Sequence, residues 1–259
     1  MKIGLIGMGF VGTALKESFE SRGQSVVTFD KFKSIGKFQD VLNTDIVFLC
    51  LPSLFIEGYG YDLTAIQENC RKLSQQKYRG LVVLKSTVEP GTTKFLSETF
   101  KLKMAYNPEF LTARTAFQDF DSQNHIVVGF NEEEPLELIN LFTILYPQAQ
   151  ISKSNTTEAE TMKVFCNCFY AVKVMIFNEY YLMCQKMGLD FELVKTMMLQ
   201  NGWINPMHTS VPGPDGKFAY GGACFPKDTG ALNYFMGKLG TPHEVLEAAI
   251  KERNKIRGE

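Results

Sequence analysis

The sequence predicts an α/β protein, with a doubly wound parallel sheet in the N-terminal part followed by an all-helical part built on one long central helix. Short runs rich in Val, Ile and Leu alternate with amphipathic stretches in the first 150 residues, which is typical of a parallel sheet covered on both faces. Residues 156–187 contain no Gly or Pro and keep apolar residues at helical spacing. The change of pattern divides the chain into domains of residues 1–153 and 154–259.

The predicted elements follow one another at short intervals. The strand-like runs are residues 3–6, 26–29, 46–51, 81–84, 104–106 and 126–129, and the helical stretches between them include 11–21, 63–73 and 92–100. The long helix begins after a polar Asn-Thr-Thr-Glu segment and ends at Gly188. Helices near 191–199 and 242–256 follow, separated by a loop rich in Pro and Gly at 205–217.

Composition excludes several classes of protein. With 259 residues, a net charge of −1 and a pI near 6.3, the chain lacks the basic surface that a protein gripping nucleic-acid backbones needs. No apolar run reaches the ~20 residues of a membrane span. The six cysteines stand in a chain too long to need disulfides, which predicts reduced thiols and a cytoplasmic location.

A glycine-rich turn directly follows the first predicted strand. Gly7, Gly9 and Gly12 form the pattern G-x-G-x-x-G, with Phe10 and Val11 between them, and open a helical stretch. In Rossmann-type domains the first Gly allows a tight turn, the second lets a pyrophosphate approach the backbone, and the third lets helix and strand pack closely. The pattern predicts a dinucleotide site, and a purely structural turn is the alternative.

An acidic residue strengthens this prediction. Asp30 closes the second strand, where a carboxylate bonds the ribose diol and repels a 2′-phosphate, so NAD is favoured over NADP. Lys31 and Lys33 lie just beyond it and keep NADP open.

Polar segments also follow three later strands: Leu-Pro-Ser at 51–53, Lys-Ser-Thr at 85–87 and Asn-Pro-Glu at 107–109. Ligands of open parallel sheets bind outside the carboxyl ends of the strands. Glu109 is therefore placed for a polar role, although each segment could equally be a helix cap or a turn.

The helical part carries two further candidates. Cys224 stands in Gly-Gly-Ala-Cys-Phe-Pro-Lys-Asp at 221–228, where glycines allow close approach of a ligand and a cation could activate a thiolate; a buried cysteine beside a turn is the alternative. Lys163 and Asn167 share a helix face, and Lys163 either reaches to water or faces an oxyanion. The three histidines are too scattered for zinc, so no metal is expected.

The long helix bears an apolar stripe, which is either core or a dimer seam. Its members are Phe165, Phe169, Val172 and Ile176. Its length and stripe predict a homodimer formed through this helix.

Taken in order, these segments resemble the UDP-glucose/GDP-mannose dehydrogenase family. The resemblance rests on GLIGMGFVG, the acidic end of the second strand, Leu-Pro-Ser, KSTV, NPEFL, Lys163-x-x-x-Asn167 with Asn178-Glu179, and GGACFPKD. The last motif is highly specific, and the resemblance spans essentially the whole chain.

The resemblance implies a four-electron oxidation of a nucleotide sugar at C6, UDP-glucose above all, with two NAD⁺ used in succession. Cys224 would attack the aldehyde made by the first hydride transfer, giving a thiohemiacetal. A second hydride transfer would give a thioester, which water hydrolyses to the uronate. Covalent capture would keep the aldehyde from escaping.

The same resemblance implies the supporting groups. Lys163 and Asn167 would stabilise the oxyanions. Asp228 and Thr87 would position a water that takes the alcohol proton, and Glu109 would assist thioester hydrolysis as a base. The implied cofactor-binding residues are Gly7, Gly9, Phe10, Val11, Gly12, Asp30, Lys33, Pro52, Ser53, Thr87 and Lys227. The implied substrate-binding residues are Glu109, Phe110, Leu111, Lys163, Asn167, Tyr220, Gly221 and Phe225.

Three departures from the family pattern stand out. Thr112-Ala113-Arg114 replaces the usual Arg-Glu-Gly after NPEFL, which removes an expected carboxylate, and Trp203-Ile204 is the nearest match to an Arg–Ile pair that reaches a neighbouring subunit's sugar. The chain also ends where the family's C-terminal nucleotide-binding domain would follow, which leaves the contacts to the diphosphate open.

Two alternative functions remain. A two-domain β-hydroxyacid or sugar-phosphate dehydrogenase would share the glycine-rich start and a catalytic Lys, but would perform one oxidation without a cysteine. A catalytically weak protein that binds NAD or sugar nucleotides would keep the fold without turnover. The joint presence of Cys224, Lys163, Asn167 and Asp228 argues against the latter.

Overall fold

The computed structural model describes residues 1–258 and contains a seven-stranded sheet. The interior strands β1 (Ile3–Ile6), β3 (Ile46–Leu49) and β6 (Leu81–Leu84) are four-residue runs that are buried at every position, as expected of a sheet covered on both faces. The strand bounds are β1 Ile3–Ile6, β2 Val26–Phe29, β3 Ile46–Leu49, β4 Phe55–Ile56, β5 Gly60–Tyr61, β6 Leu81–Leu84, β7 Met104–Tyr106, β8 His125–Gly129 and β9 Gln150–Ser154.

The order of the large sheet is β2-β1-β3-β6-β7-β8-β9, while β4 and β5 form a separate pair. The first five strands of this order are parallel, so the predicted fold class is confirmed. The prediction that all strands are parallel is wrong at the far edge. There β8 runs antiparallel to β7, and β9, a partly exposed polar run absent from the prediction, pairs parallel with β8. An apolar run encodes burial, not direction, and antiparallel edges on parallel sheets are common.

Helices cover both faces of this sheet. Alternate strand residues belong to two different cores: Ile3 and Leu5 pack in one and Ile6 in the other. Helices α1 (Phe10–Ser21), α5 (Ala116–Asp121) and α6 (Leu136–Leu145) contribute to the first core. Helices α2 (Phe38–Val41), α3 (Thr64–Gln75) and α4 (Thr92–Phe100) contribute to the second.

The long helix α7 spans Thr156–Met187, as predicted. A capping box starts it, because the Asn155 side chain accepts from the Glu158 N–H while the Glu158 carboxylate accepts from the Asn155 N–H. Gly188 ends it at φ +69°, a conformation that favours glycine.

Three helices follow: α8 (Phe191–Gln200), α9 (Phe225–Leu239) and α10 (Glu244–Arg257). Helices α8 and α10 match the prediction, whereas α9 is absent from it. Its start lies inside the motif at 221–228, for which no secondary structure was predicted.

The chain forms two compact units. Unit 1 comprises residues 1–54 and 61–163, and unit 2 comprises residues 55–60 and 164–259. Residues 55–60 thus belong to unit 2, where the Phe55 ring occupies the space that a Cβ on Gly230 of α9 would need.

No helix within residues 1–258 is long and apolar enough to cross a membrane. None of the six cysteines, all of which lie within residues 1–258, forms a disulfide, and the expectation of a reducing, cytoplasmic compartment remains a prediction.

Candidate active site

The glycine-rich turn after β1 shows which glycines the fold itself requires. Gly7 has φ +97°, and a Cβ there would lie 2.3 Å from the Cys50 carbonyl oxygen. A Cβ on Gly12 would lie 2.0 Å from the Gly7 carbonyl oxygen. A Cβ on Gly9, the residue before α1, would meet nothing within 4 Å. Gly7 and Gly12 therefore serve packing, whereas Gly9 leaves open space where a pyrophosphate would approach the helix N-terminus.

Asp30 ties the end of β2 to this turn. One carboxylate oxygen accepts from Met8 N at 2.7 Å and the other from the N–H groups of Phe32 and Lys33 at 2.9 Å. The Lys33 ammonium donates to the Met8 carbonyl oxygen at 2.6 Å. Partial burial acts to raise the pKa of Asp30, but these N–H groups and the Lys33 charge outweigh it and hold the pKa below 3.8.

The residues of this corner fit NAD. A carboxylate has about four acceptor positions, of which three are used, so Asp30 retains one toward a ribose hydroxyl. Its ionised form repels a 2′-phosphate. Lys33 is engaged with the turn itself. Phe10 is exposed and Val11 half-buried in the first turn of α1.

The ends of β3 and β6 are joined by hydroxyl groups. Ser86 Oγ donates to the Leu51 carbonyl oxygen at 2.6 Å and accepts from Leu51 N at 3.1 Å. Ser53 is buried and its Oγ donates to the Thr87 carbonyl oxygen at 2.6 Å. The structure thus brings the predicted residues Ser53 and Thr87 together through the backbone, while Pro52 is exposed.

Glu109 and Lys163 form a buried pair after β7. The Lys163 ammonium donates to the Glu109 backbone oxygen at 2.6 Å and lies 3.2 Å from its carboxylate Oε1. Leu111 N donates to the other carboxylate oxygen at 2.7 Å. The same ammonium lies 5.2 Å from the centre of the Phe110 ring. The structure therefore joins Lys163 to the NPEFL motif, two segments that the sequence predicted separately, and within unit 1 it contradicts the alternative in which Lys163 reaches to water.

Unit 1 holds two further buried charged residues: Lys85, which belongs to the predicted Lys-Ser-Thr segment but was given no role of its own, and Glu160, which sequence reasoning missed. Lys85, directly after β6, donates to the Asn107 backbone oxygen at 3.1 Å and its Oδ1 at 2.7 Å. Burial lowers the pKa of Lys85 to about 8, although Cys50 and Glu109 act to raise it. A lysine at the end of a continuous apolar strand was the available signal.

Glu160, in the first turns of α7, is fully buried. Its carboxylate accepts from Gly91 N at 2.6 Å and Thr93 N at 2.7 Å at the start of α4. Burial raises the pKa of Glu160 to about 7, against the opposing effect of these hydrogen bonds. In the sequence, Glu160 stands three residues before Lys163, so the two share a face of the long helix, and this spacing could have indicated that Glu160 is buried.

Cys224 lies in unit 2 immediately before α9 and is exposed. Pro226 occupies the first turn of α9, where its missing N–H costs nothing. The positive end of the helix dipole favours a thiolate at this place. The alternative of a buried cysteine is therefore wrong.

The Asp228 carboxylate, one turn into α9, organises the groups around it. It is fully buried and accepts from the Asn167 side-chain amide at 2.6 Å and from the Lys227 ammonium at 2.5 Å. Asp228 N donates to the Cys224 carbonyl oxygen at 2.9 Å. Four predicted residues of unit 2 thus form one connected cluster.

The loop before Cys224 is held from two sides. The Asn178 side chain accepts from Ala219 N at 2.9 Å. The Arg257 guanidinium donates to the Ala219 carbonyl oxygen at 2.9 Å and fills the space that a Cβ on Gly221 would need. A side chain at position 221 would therefore have to displace the Arg257 guanidinium within unit 2.

Tyr220 and Phe225 pack in the same unit. Tyr220 is 3% exposed and its hydroxyl lies 3.3 Å from Thr229 Oγ1, so its side chain is part of the core. Phe225 is half-buried, with its ring centre 6.4 Å from that of Tyr220. Their roles toward substrate stay predictions. Within residues 1–258 no group of three or more His, Cys, Asp or Glu side chains is arranged to hold a metal.

Most of the apolar stripe of α7 faces outward. Phe165, Phe169 and Ile176 are 54%, 66% and 41% exposed, and only Val172 packs in a core. The interpretation of the stripe as core is therefore wrong for three of its four members. At the departures from the family pattern, Ala113 is exposed and Trp203 is 92% exposed.

Comparison with known sequences identifies the two parts of the chain. Residues 31–149 match the family model described as the UDP-glucose/GDP-mannose dehydrogenase family, NAD binding domain. Residues 157–255 match the central domain of the same family.

Curated relatives have matching names. The chain is 28% identical to a UDP-glucose 6-dehydrogenase of Haloferax volcanii, over 96% of this chain and 69% of the relative. It is 26% identical to a GDP-mannose 6-dehydrogenase of Pseudomonas aeruginosa, over 98% and 68%. It is 31% identical to a UDP-glucose 6-dehydrogenase of Bacillus subtilis, over 81% of this chain but only 48% of the relative. The chain thus spans about half to two thirds of the length of these relatives.

Solved structures share the fold. A UDP-glucose dehydrogenase of Pyrobaculum islandicum superposes with a TM-score of 0.85 at 24% identity, covering 98% of this chain and 68% of that one. A 3-hydroxyisobutyrate dehydrogenase of Mycobacterium tuberculosis gives 0.75 at 19% identity, covering 100% and 94%. The fold, the glycine turn with Asp30 and the two matched domains lead to one assignment: the chain belongs to the UDP-glucose/GDP-mannose dehydrogenase family, with NAD as its cofactor.

Proposed function

We propose that this chain oxidises a nucleotide sugar at C6, UDP-glucose to UDP-glucuronate, in two successive steps through a covalent adduct on Cys224. The observation that carries the proposal is the cluster of unit 2, in which the exposed Cys224 precedes α9 while Asp228 fixes Asn167 and Lys227. A single alcohol oxidation needs no such thiol.

The residues of the chain divide the chemistry between them. When bound, NAD⁺ accepts a hydride in each of the two oxidations. The Cys224 thiolate forms a C–S bond to the aldehyde carbon, and Lys163 and Asn167 stabilise the oxyanion. Asp228 and Thr87 position the water that takes the alcohol proton, and Glu109 accepts a proton from the water that hydrolyses the thioester. Alcohol, two NAD⁺ and one water thus yield carboxylate, two NADH and three protons.

The decisive experiment measures NADH formed per product with a panel of UDP- and GDP-sugars. We expect two NADH per product from the native chain, and turnover lowered by about 10³-fold or more in Cys224→Ser. Cys166→Ser, a half-buried cysteine of α7, is the matched control and should keep its activity. No NADH with any sugar nucleotide would refute the function, and full two-step turnover by Cys224→Ser would refute the covalent route.

The second candidate is a β-hydroxyacid dehydrogenase. The likeness to the Mycobacterium 3-hydroxyisobutyrate dehydrogenase, which this chain covers over 94% of its length, favours it. It predicts one NADH per product and no effect of Cys224→Ser, so the same experiment separates the two functions.

We further propose a homodimer formed through α7. The exposed apolar side chains of α7 and of the residues after it support this, because soluble monomers rarely expose large apolar patches. They are Phe165, Phe169, Ile176, Met183, Met187, Leu193, Met197 and Trp203. Sedimentation at micromolar concentration should show a dimer for the native chain and for the control Gln185→Glu, and a monomer for Phe169→Glu. A native monomer would refute the proposal.

A further inference from the structure

Lys85 connects the end of β6 to the end of β7 and, through Asn107, to the middle of β8 in unit 1. It follows β6, and its ammonium donates to both the backbone oxygen and Oδ1 of Asn107, which follows β7. The Asn107 amide nitrogen in turn donates to the Val127 carbonyl oxygen of β8 at 2.7 Å. Both ends of the Asn107 amide are thus engaged, so its orientation is defined.

The Lys85 ammonium is buried without a carboxylate partner. Lys85 is 2% exposed, and among residues 1–258 no carboxylate lies within ion-pair distance of it. Its ammonium faces the Phe120 ring at 5.2 Å, and the charged or titratable groups that influence it are Cys50, Glu109 and Lys163. A buried ammonium is costly for folding, and a methionine would fill the same space without that cost. The position therefore calls for a role other than packing.

The turn that Lys85 holds leads directly to Glu109. Only Pro108 separates Asn107 from Glu109, and the proline ring fixes φ. Asn107 and Pro108 are both buried, so the placement of Asn107 determines where the Glu109 backbone begins. From there the carboxylate meets Leu111 N and the Lys163 ammonium.

We propose that Lys85 is a positioning residue for Glu109: by fixing Asn107 it presents the Glu109 carboxylate beside Lys163, in the orientation needed to take a proton from water. The inference rests on the proposed function, in which Glu109 assists hydrolysis of the thioester. In that step the water oxygen bonds to the thioester carbon, its proton passes to Glu109, and the C–S bond breaks to release the Cys224 thiolate. No electrons are exchanged in this hydrolysis. Because the second hydride transfer forms the thioester, both hydride transfers precede the step that depends on Lys85.

Because the hydride transfers come before the hydrolysis, the two stages can be measured separately. In a rapid-mixing experiment with NAD⁺ and the active sugar nucleotide, Lys85→Met should give two NADH per site at the native rate. Its later steady state should be about tenfold slower or more, and mass spectrometry should show the sugar adduct accumulating on Cys224. Glu109→Gln should behave in the same way. Lys94→Met, an exposed lysine of α4, should match the native chain.

The opposite results are equally clear. A native steady state in Lys85→Met, or equal slowing of burst and steady state, would overturn the proposal. If Lys85→Met does not fold by circular dichroism, Asn107→Ala removes an acceptor of the same ammonium and is judged by the same criterion. If the native chain forms no NADH with any sugar nucleotide, the proposed function fails first, and the role of Lys85 falls with it.

Discussion

The Lys163 ammonium lies 2.6 Å from the Glu109 backbone oxygen and 3.2 Å from its carboxylate, and the two side chains are only 4% and 10% exposed. One interaction therefore fixes both the turn after β7 and the second turn of α7. In a site where water is largely excluded, such a pair is strongly coupled.

Replacing Glu109 by Gln should destabilise the chain, because the Lys163 ammonium then stays buried without its carboxylate. The expected loss is about 3 kcal/mol in the free energy of unfolding, measured with urea. The double variant Glu109→Gln/Lys163→Met should lose clearly less than the sum of the two single losses. Additive losses would show that the pair is not coupled.

The glycines of the turn after β1 should separate into two classes. The methyl group of Gly9→Ala meets open space, so we expect the free energy of unfolding to stay within about 0.5 kcal/mol of native. NAD should bind at least about tenfold more weakly, because the methyl group occupies the space through which the pyrophosphate approaches the backbone. Gly12→Ala places a Cβ 2.0 Å from the Gly7 carbonyl oxygen and should cost about 1–3 kcal/mol of stability. Thermal unfolding and NAD titration measure both. Equal behaviour of the two variants would contradict these roles.

Glu160 should make the chain less stable as the pH rises toward neutrality. The unfolded carboxyl ionises near 4.5, whereas the folded one ionises at about 7, so the folded state holds the extra proton between these values. Its contribution is full below pH 4.5 and is lost as pH rises to 7, by up to about 3 kcal/mol. Urea unfolding from pH 4.5 to 7.5 should show this slope in the native chain, and a flatter one in Glu160→Gln. Parallel slopes would be evidence against it.

Lys85 should change the stability of the chain in a different pH range, between about 8 and 10.5. The unfolded lysine keeps its proton up to 10.5, whereas the folded one loses it at about 8, so its destabilising effect is full below pH 8 and disappears as pH rises to 10.5. The native chain should gain up to about 3 kcal/mol across this range relative to Lys85→Met. Unfolding midpoints of the two chains at pH 7.5, 9 and 10 test it, and a constant difference between them would disprove the assignment.

The fold was predictable where one pattern dominates a segment. The buried runs of β1, β3 and β6 and the uninterrupted α7 met no competing signal. Helix α9 was missed although Pro226 and Asp228 in its first turn and Gly240 at its end are ordinary helix signals, because the cysteine motif was interpreted only for its chemistry. The direction of β8 depends on long-range pairing, which three to five apolar residues do not encode.

The site was predictable where family motifs carry it. Cys224, Asp228 and Asn167 were named from their motifs, and unit 2 brings them together. Glu160 was missed, and Lys85 was named only as part of the Lys-Ser-Thr segment, because their importance lies in burial and in partners distant in the chain, the N-terminus of α4 and Asn107. A charged residue looks the same in a sequence whether it is solvated or enclosed.

The distribution of the thiols has a practical consequence. Of the six cysteines, all within the described residues, Cys224 is the exposed one, and burial raises the pKa of Cys50 and Cys70 to about 12. An alkylating reagent at neutral pH should therefore modify this position well ahead of those two. In a Cys166→Ser background, which removes a half-buried thiol, the rate of labelling at Cys224 becomes a direct reporter of whether a ligand covers that sulfur.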